Sequence, residues 1–139
     1  MLSPTPAQIK EMAEQIDCGF CCYYNKISGE IVSIPDFDDR MDDIEEFFGE
    51  DLAKIERDKK NFIKIDKPSS RESFEIMEDF VEEVEDLRLR DELSYALNNK
   101  KPFAHFKFIV ENSDHRQKWF DFKAKQLQKL VIEQMPIHL

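Results

Sequence analysis

Apolar positions change period several times along this chain, and each change predicts an element. Ile9, Met12, Ala13 and Ile16 share one face at helical spacing. Thr5 stands where an N-cap belongs, Pro6 takes the first helical position and Gln8 follows three residues after Thr5, so a capped amphipathic helix is expected here. GFCCYYN and EIVSIP then flank KISG as the arms of a β-hairpin, with Gly29 supplying the positive φ of the connection. Phe37, Met41, Ile44, Phe48, Leu52 and Ile55 return to helical spacing among acidic residues, predicting a solvated helix bent or broken at Gly49. NFIKID alternates, Ile63 and Ile65 on one side and Phe62 and Lys64 on the other, as a third strand ended by Pro68.

The second half is helical in period. Ser69 and Glu72 form a capping box before a stripe of Phe74, Met77, Phe80, Val81, Val84 and Leu87. Leu89, Leu93, Ala96 and Leu97 make a second stripe out of phase with the first, which predicts a kink or turn near Asp86–Arg90. After NNKK, Pro102 opens a helix with Phe103, Phe106 and Val110 on one side. Asn112 or Ser113 is expected to cap a last helix running to about Met135. The expected fold is α+β: a small antiparallel sheet of about three strands packed with a largely helical C-terminal half, in a single domain over residues 1–139.

Length and composition agree with a packed core: 139 residues, 41% hydrophobic and 12% aromatic. No apolar run approaches the roughly 18–20 residues that span a bilayer, and MLSPTPAQIK lacks the order of a signal peptide. Cys18, Cys21 and Cys22, an odd number within five positions, are not a disulfide framework, so reduced thiols and a cytoplasmic location are expected. The net charge of −10 is unevenly spread. Residues 36–58 carry −8 and residues 72–92 another −8, whereas 59–71 carry +4 and 100–129 carry +5. Acidic faces repel phosphate backbones; the basic stretches can attract anions or neutralise acids within the fold.

Residues 102–125 hold six large aromatic rings among Arg and Lys. On a helical projection Trp119, Phe120, Ala124, Leu127, Leu130 and Val131 form one apolar arc, with Phe103 and Phe106 facing the same way, so these rings read as core rather than as base-stacking platforms. Phe108, Phe122 and Ile132 fall off the arcs, Phe122 on the side of Lys118, Lys125 and Lys129. Arg116 and Lys123 point with Trp119, and a buried cation needs an acid, so partners are expected among Glu78, Asp79, Glu82, Glu83 and Asp86.

The order SRESFEIMEDFVEEVED, LSYALNNKKPFAHFK and RQKWFDF resembles the small bacterial uncharacterised protein family 0158, with its PF..FK element followed by R..W..F. The likeness is densest over residues 69–126 and extends to the SGE hairpin upstream. It implies an α+β domain in a bacterial cytosol and brings no activity with it. Arg116, Trp119 and Phe122 match its motif, and with Phe103 and Phe106 they are the candidate interaction or structural residues.

Other chemistry is weakly marked. Cys18 and Cys21 have C-x-x-C spacing, but His105, His115 and His138 are scattered and strand alternation sends Cys21 opposite to Cys22. DFDDRMDD begins like a calcium loop, yet Met41 and Phe47 stand where Gly and Glu are required. Three glycines, at 19, 29 and 49, give no phosphate loop, and no nucleophile signature appears. No catalytic residue, metal or cofactor is therefore assigned, and the chain reads as a non-enzymatic protein-interaction or regulatory module engaging a protein or itself. Two alternatives stand beside it: nucleic-acid binding through Lys100, Lys101, Lys107, Lys118, Lys125 and Lys129, or a ligand or enzyme pocket near Arg116 and Trp119. No membrane partner is expected.

Overall fold

Thr5 opens the first helix as its spacing predicts: its hydroxyl accepts the Gln8 amide at 3.1 Å, and the Gln8 side chain accepts the Thr5 amide at 3.0 Å. The computed structural model describes residues 1–35 and 41–136, with side chains described for 1–35 and 46–136. Those residues form six helices and a three-stranded antiparallel sheet, an α+β fold. Their contacts divide the chain into two compact units, one of Met1–Lys67 with Leu127–Leu139 and one of Pro68–Gln126.

The first unit holds α1 (Pro6–Asp17), β1 (Phe20–Asn25), β2 (Ile31–Pro35), α2 (Met41–Arg57) and β3 (Phe62–Ile65). Its strand order is β2-β1-β3, which makes the cysteine strand central. Cys21 pairs with Ile34 and Cys22 with Ser33 and Ile65, so the two neighbouring thiols serve opposite faces, as alternation requires. Cys21, Val32 and Ile34 cluster with Leu52 and Ile55 of α2. Cys22 lies on the other face, its thiol 3.8 Å from the Met12 carbonyl of α1. Gly29 has φ +79°, and buried Asn25 ties the hairpin by accepting the amides of Ile27 and Ser28 at 2.9 and 3.0 Å. Helix α2 departs from helical geometry at Phe48, next to the expected break at Gly49. Phe37 and the side chains of Met41 and Ile44 lie outside the described residues.

The second unit is helical: α3 (Ser70–Glu83), α4 (Leu87–Leu97), α5 (Pro102–Glu111) and the first part of α6 (Arg116–Glu133). Ser69 and Glu72 make the expected capping box. The break between stripes comes at Val84–Asp86, slightly earlier than the phase slip suggests. Its cause is Asp86, whose carboxylate accepts the amides of Arg88 and Leu89 at 3.0 and 3.2 Å and so starts a new helix. That corrects Leu87, expected to close the α3 stripe: as the first residue of α4 it is 71% exposed. Asn112 caps the end of α5, its amide donating to Phe108 O, and Ser113 Oγ accepts the His115 amide at 3.1 Å ahead of α6. Helix α6 ends at Glu133 rather than Met135.

Candidate interaction surface of the helical unit

Helix α6 presents Trp119 inward, where its indole meets Phe106 at 4.9 Å and Phe80 at 5.3 Å between centroids, both edge to face. Phe80 also contacts Phe106 at 6.4 Å and Phe122 at 5.4 Å, and Phe74 meets Phe103 edge-on at 6.4 Å. Trp119 and Phe106 are 1% and 0% exposed, while Phe103, Phe120 and Phe122 are half-buried. Edge-to-face pairs add about 0.5–1.5 kcal/mol each beyond their buried area, so the site residues Trp119, Phe106, Phe103 and Phe122 are packed as an aromatic core. Phe122, expected off the apolar arc, reaches that core through Phe80. Ala124, expected on the arc, is exposed.

Arg116 resolves differently from the acid pairing expected of it. Arg116 is exposed, and among the described residues it makes no ion pair. Its guanidinium lies 5.2 Å above the Phe120 ring, one turn along the helix. Lys123 Nζ sits 5.7 Å from the Trp119 ring and 5.6 Å from the Phe120 ring. The reason is geometric: a long basic side chain on a helix covers an aromatic ring three or four residues away while its charge stays in water.

The outer side of the same unit also leaves apolar area open. Leu87 and Tyr95 on α4 and Phe108 on α5 are 71%, 73% and 71% exposed. On α4, Leu89, Leu93, Ala96 and Leu97 face the core, so Leu87, Asp91 and Tyr95, each four residues apart, align on the opposite side. On α5, Phe106 and Val110 are buried, and Phe108 stands about 200° around from Phe106. Asn98–Lys101 returns the chain so that α5 packs against α4. Lys101 adopts φ +54° at this connection, a left-handed conformation that fixes the turn. Phe108 was foreseen as lying off the arcs; Leu87 and Tyr95 were missed, although the angle of each from Leu93 is readable once the helix start at Asp86 is known.

Charge surrounds this face unevenly. Glu82, Glu83, Glu85, Asp86 and Asp91 are exposed toward the start of α4, and Lys100, Lys101 and Lys107 are exposed at and after the turn. None of these lysines forms an ion pair among the described residues, and the same holds for Lys118 and Lys125. Arg88 and Glu92 make an exposed i,i+4 pair at 3.5 Å. At the start of α6, Asp114 accepts from or shares a proton with His115 Nδ1 at 2.8 Å, and that contact holds its carboxyl below the usual range.

The chain's remaining reactive groups are hidden or scattered. Cys21 and Cys22 are buried, whereas Cys18 is exposed as the C-cap of α1. Burial pushes the Cys22 thiol up, the reverse of an activated nucleophile. Tyr24 is 1% exposed, and its hydroxyl has no hydrogen-bond partner among the described residues. A cavity of about 20 Å3 beside it, lined by Leu2, Pro4, Tyr24, Ile63 and Met135, has room for about one water. His105 is exposed, His115 is largely covered, and His138 and residues 36–40 of the calcium-like sequence DFDDRMDD lie outside the described residues. No described helix is long and apolar enough to cross a membrane.

The model of the uncharacterised protein family UPF0158 matches residues 5–137. The chain belongs to that family. A UPF0158 relative, the "UPF0158 protein PA5073" of Pseudomonas aeruginosa, is 26% identical over 136 residues, covering 95% of this chain and 82% of the relative. No solved structure matches the chain. The UPF0158 match takes in both compact units, from the capping box at Thr5 to the end of α6. A family without a described activity leaves function to be argued from the surface itself.

Proposed function

We propose that this UPF0158 chain is a non-enzymatic protein-interaction module of the cytoplasm, and that it engages its partner through the outward face of α4 and α5. The observation that carries the reading is the exposure of Leu87, Tyr95 and Phe108, each above 70%, on two helices packed side by side. Large apolar side chains grouped on one face are uncommon on a protein with nothing to bind. Tyr and Phe at such positions supply contact area at small entropic cost. A cytoplasmic setting is supported by three free thiols.

Photo-cross-linking inside cells tests the reading. A photoreactive residue at Asp91, between Leu87 and Tyr95, is expected to form a protein adduct that disappears in the Tyr95→Ser/Phe108→Ser variant. Absence of any adduct, or an adduct to nucleic acid instead, overturns it. Nucleic acid is the second reading because Lys100, Lys101, Lys107, Lys118 and Lys125 are exposed and without acidic partners among the described residues, as phosphate contacts require. Against it, the rings of Trp119 and Phe106 are sealed from any base, and the acids of residues 72–92 are exposed in the same unit.

A further inference from the structure

We infer that the partner of the α4–α5 face is a second copy of this chain, docked on the same face about a two-fold axis. The inference rests on the interaction reading above and adds the identity of the partner. An isologous contact demands a surface complementary to itself. This face meets the demand through the way charge runs along it. Glu82, Glu83, Glu85 and Asp86 outnumber the exposed Arg88 and Arg90 at the end where α4 begins; Lys100 and Lys101 stand at the end where α4 gives way to α5. Eleven residues of helix separate the ends, about 16 Å at 1.5 Å per residue. That exceeds the screening length of about 8 Å at physiological salt, so each end presents its own sign to an approaching molecule.

A two-fold axis lying in the plane of the interface, at right angles to α4 and passing near its middle, lays the acidic end of one copy on the basic end of the other, and does so twice. The parallel arrangement sets acid on acid and base on base and is disfavoured. Between the charged ends lie the apolar groups: Leu87 near the acidic end, Tyr95 near the basic end, and Phe108 on the middle of α5. The axis brings Leu87 of each copy toward Tyr95 of the other and the two Phe108 rings together. Lys100, Lys101 and Lys107 have no acid within their own chain among the described residues, which leaves them available for the partner's carboxylates. A phosphate backbone satisfies the lysines but not the acidic end, and for that reason the second copy is favoured over nucleic acid.

Sedimentation of the purified full chain, over a range of concentration and at low and high salt, tests the inference with charge-reversed variants. Wild-type chain is expected to reach twice the monomer mass, with association weakening as salt rises. Glu83→Lys/Glu85→Lys makes both ends basic and Lys100→Glu/Lys101→Glu makes both ends acidic. Each variant alone is expected to associate at least tenfold more weakly, and an equal mixture of the two to recover pairing. Tyr95→Ser/Phe108→Ser is expected to be monomeric, with the melting temperature that wild-type chain shows in dilute, dissociated solution. A wild-type chain that stays monomeric throughout, or variants whose mixture pairs no better than either alone, overturns the inference. If wild-type chain is monomeric while the Asp91 cross-link captures a different protein, the second copy fails as partner and the interaction reading stands; if that cross-link also fails, both fall.

Discussion

The ring cluster around Trp119 and the outward face of α4 and α5 use the same residue types within one helical unit, yet they do opposite work. Phe106 and Phe108 show the difference in its simplest form: two residues apart on α5, one is fully buried and the other 71% exposed. A rotation of about 200° along the helix decides between them, since hydrophobicity is the same in both. The comparison teaches that an aromatic-rich, basic stretch is not one feature. Its inward half supplies cohesion and its outward half supplies contact area, and the two halves respond differently to mutation.

The largest contrast is in stability. Trp119→Ala removes the ring that meets Phe80 and Phe106 and is expected to cost about 3–5 kcal/mol in urea unfolding. Tyr95→Ala and Phe108→Ala, on the outer face, are expected to stay within about 0.5 kcal/mol. Equal costs for the two sets break the comparison. Tyr24 sharpens it from the sheet-bearing unit, because there a buried ring carries a hydroxyl without a partner among the described residues. Tyr24→Phe is expected to leave stability unchanged or raise it, by up to about 1–3 kcal/mol, the cost of a sealed unsatisfied polar group.

Alkaline titration follows from the same burial. Desolvation raises the Cys22 thiol and the Tyr24 hydroxyl above their ordinary values, so the folded chain keeps both protons to higher pH than the unfolded chain does. Their contribution is complete below the unfolded values of about 8.5 and 10, and it is lost as pH rises through the higher folded values. Melting temperature is therefore expected to fall in that window, and less steeply in Tyr24→Phe; a steeper fall in the variant contradicts the assignment. Next in size is Ser69→Ala, which removes the cap of α3 and is expected to cost about 1 kcal/mol. Smallest is Arg116→Met: an exposed cation over Phe120 contributes about 0.5–1 kcal/mol, and a loss several times larger means that Arg116 holds an acid after all.

Much of this division was legible in the residues. Among the described residues periodicity located the three strands and the six α-helices, and the boxes Thr5–Gln8 and Ser69–Glu72 form as their spacing requires. Trp119 and Phe106 could be placed inward because several apolar neighbours share their helical phase. Leu87 was not legible as surface, since a stripe read through from α3 absorbs it until the Asp86 cap resets the phase. Arg116 misled for a related reason: projection gives the direction of a Cα–Cβ bond, whereas a flexible stem can leave the buried arc and lay its charge on the Phe120 ring. The strand order β2-β1-β3 depends on non-local pairing, which the local pattern does not encode.

Oxidative footprinting of the folded chain, read residue by residue across a range of protein concentration, tests the division most directly. Trp119 and Phe106 are expected to be protected at every concentration, while Tyr95 and Phe108 label readily in dilute solution and become protected as copies associate. Rapid labelling of Trp119 in the folded chain, or labelling of Tyr95 and Phe108 that never changes with concentration, would contradict the account.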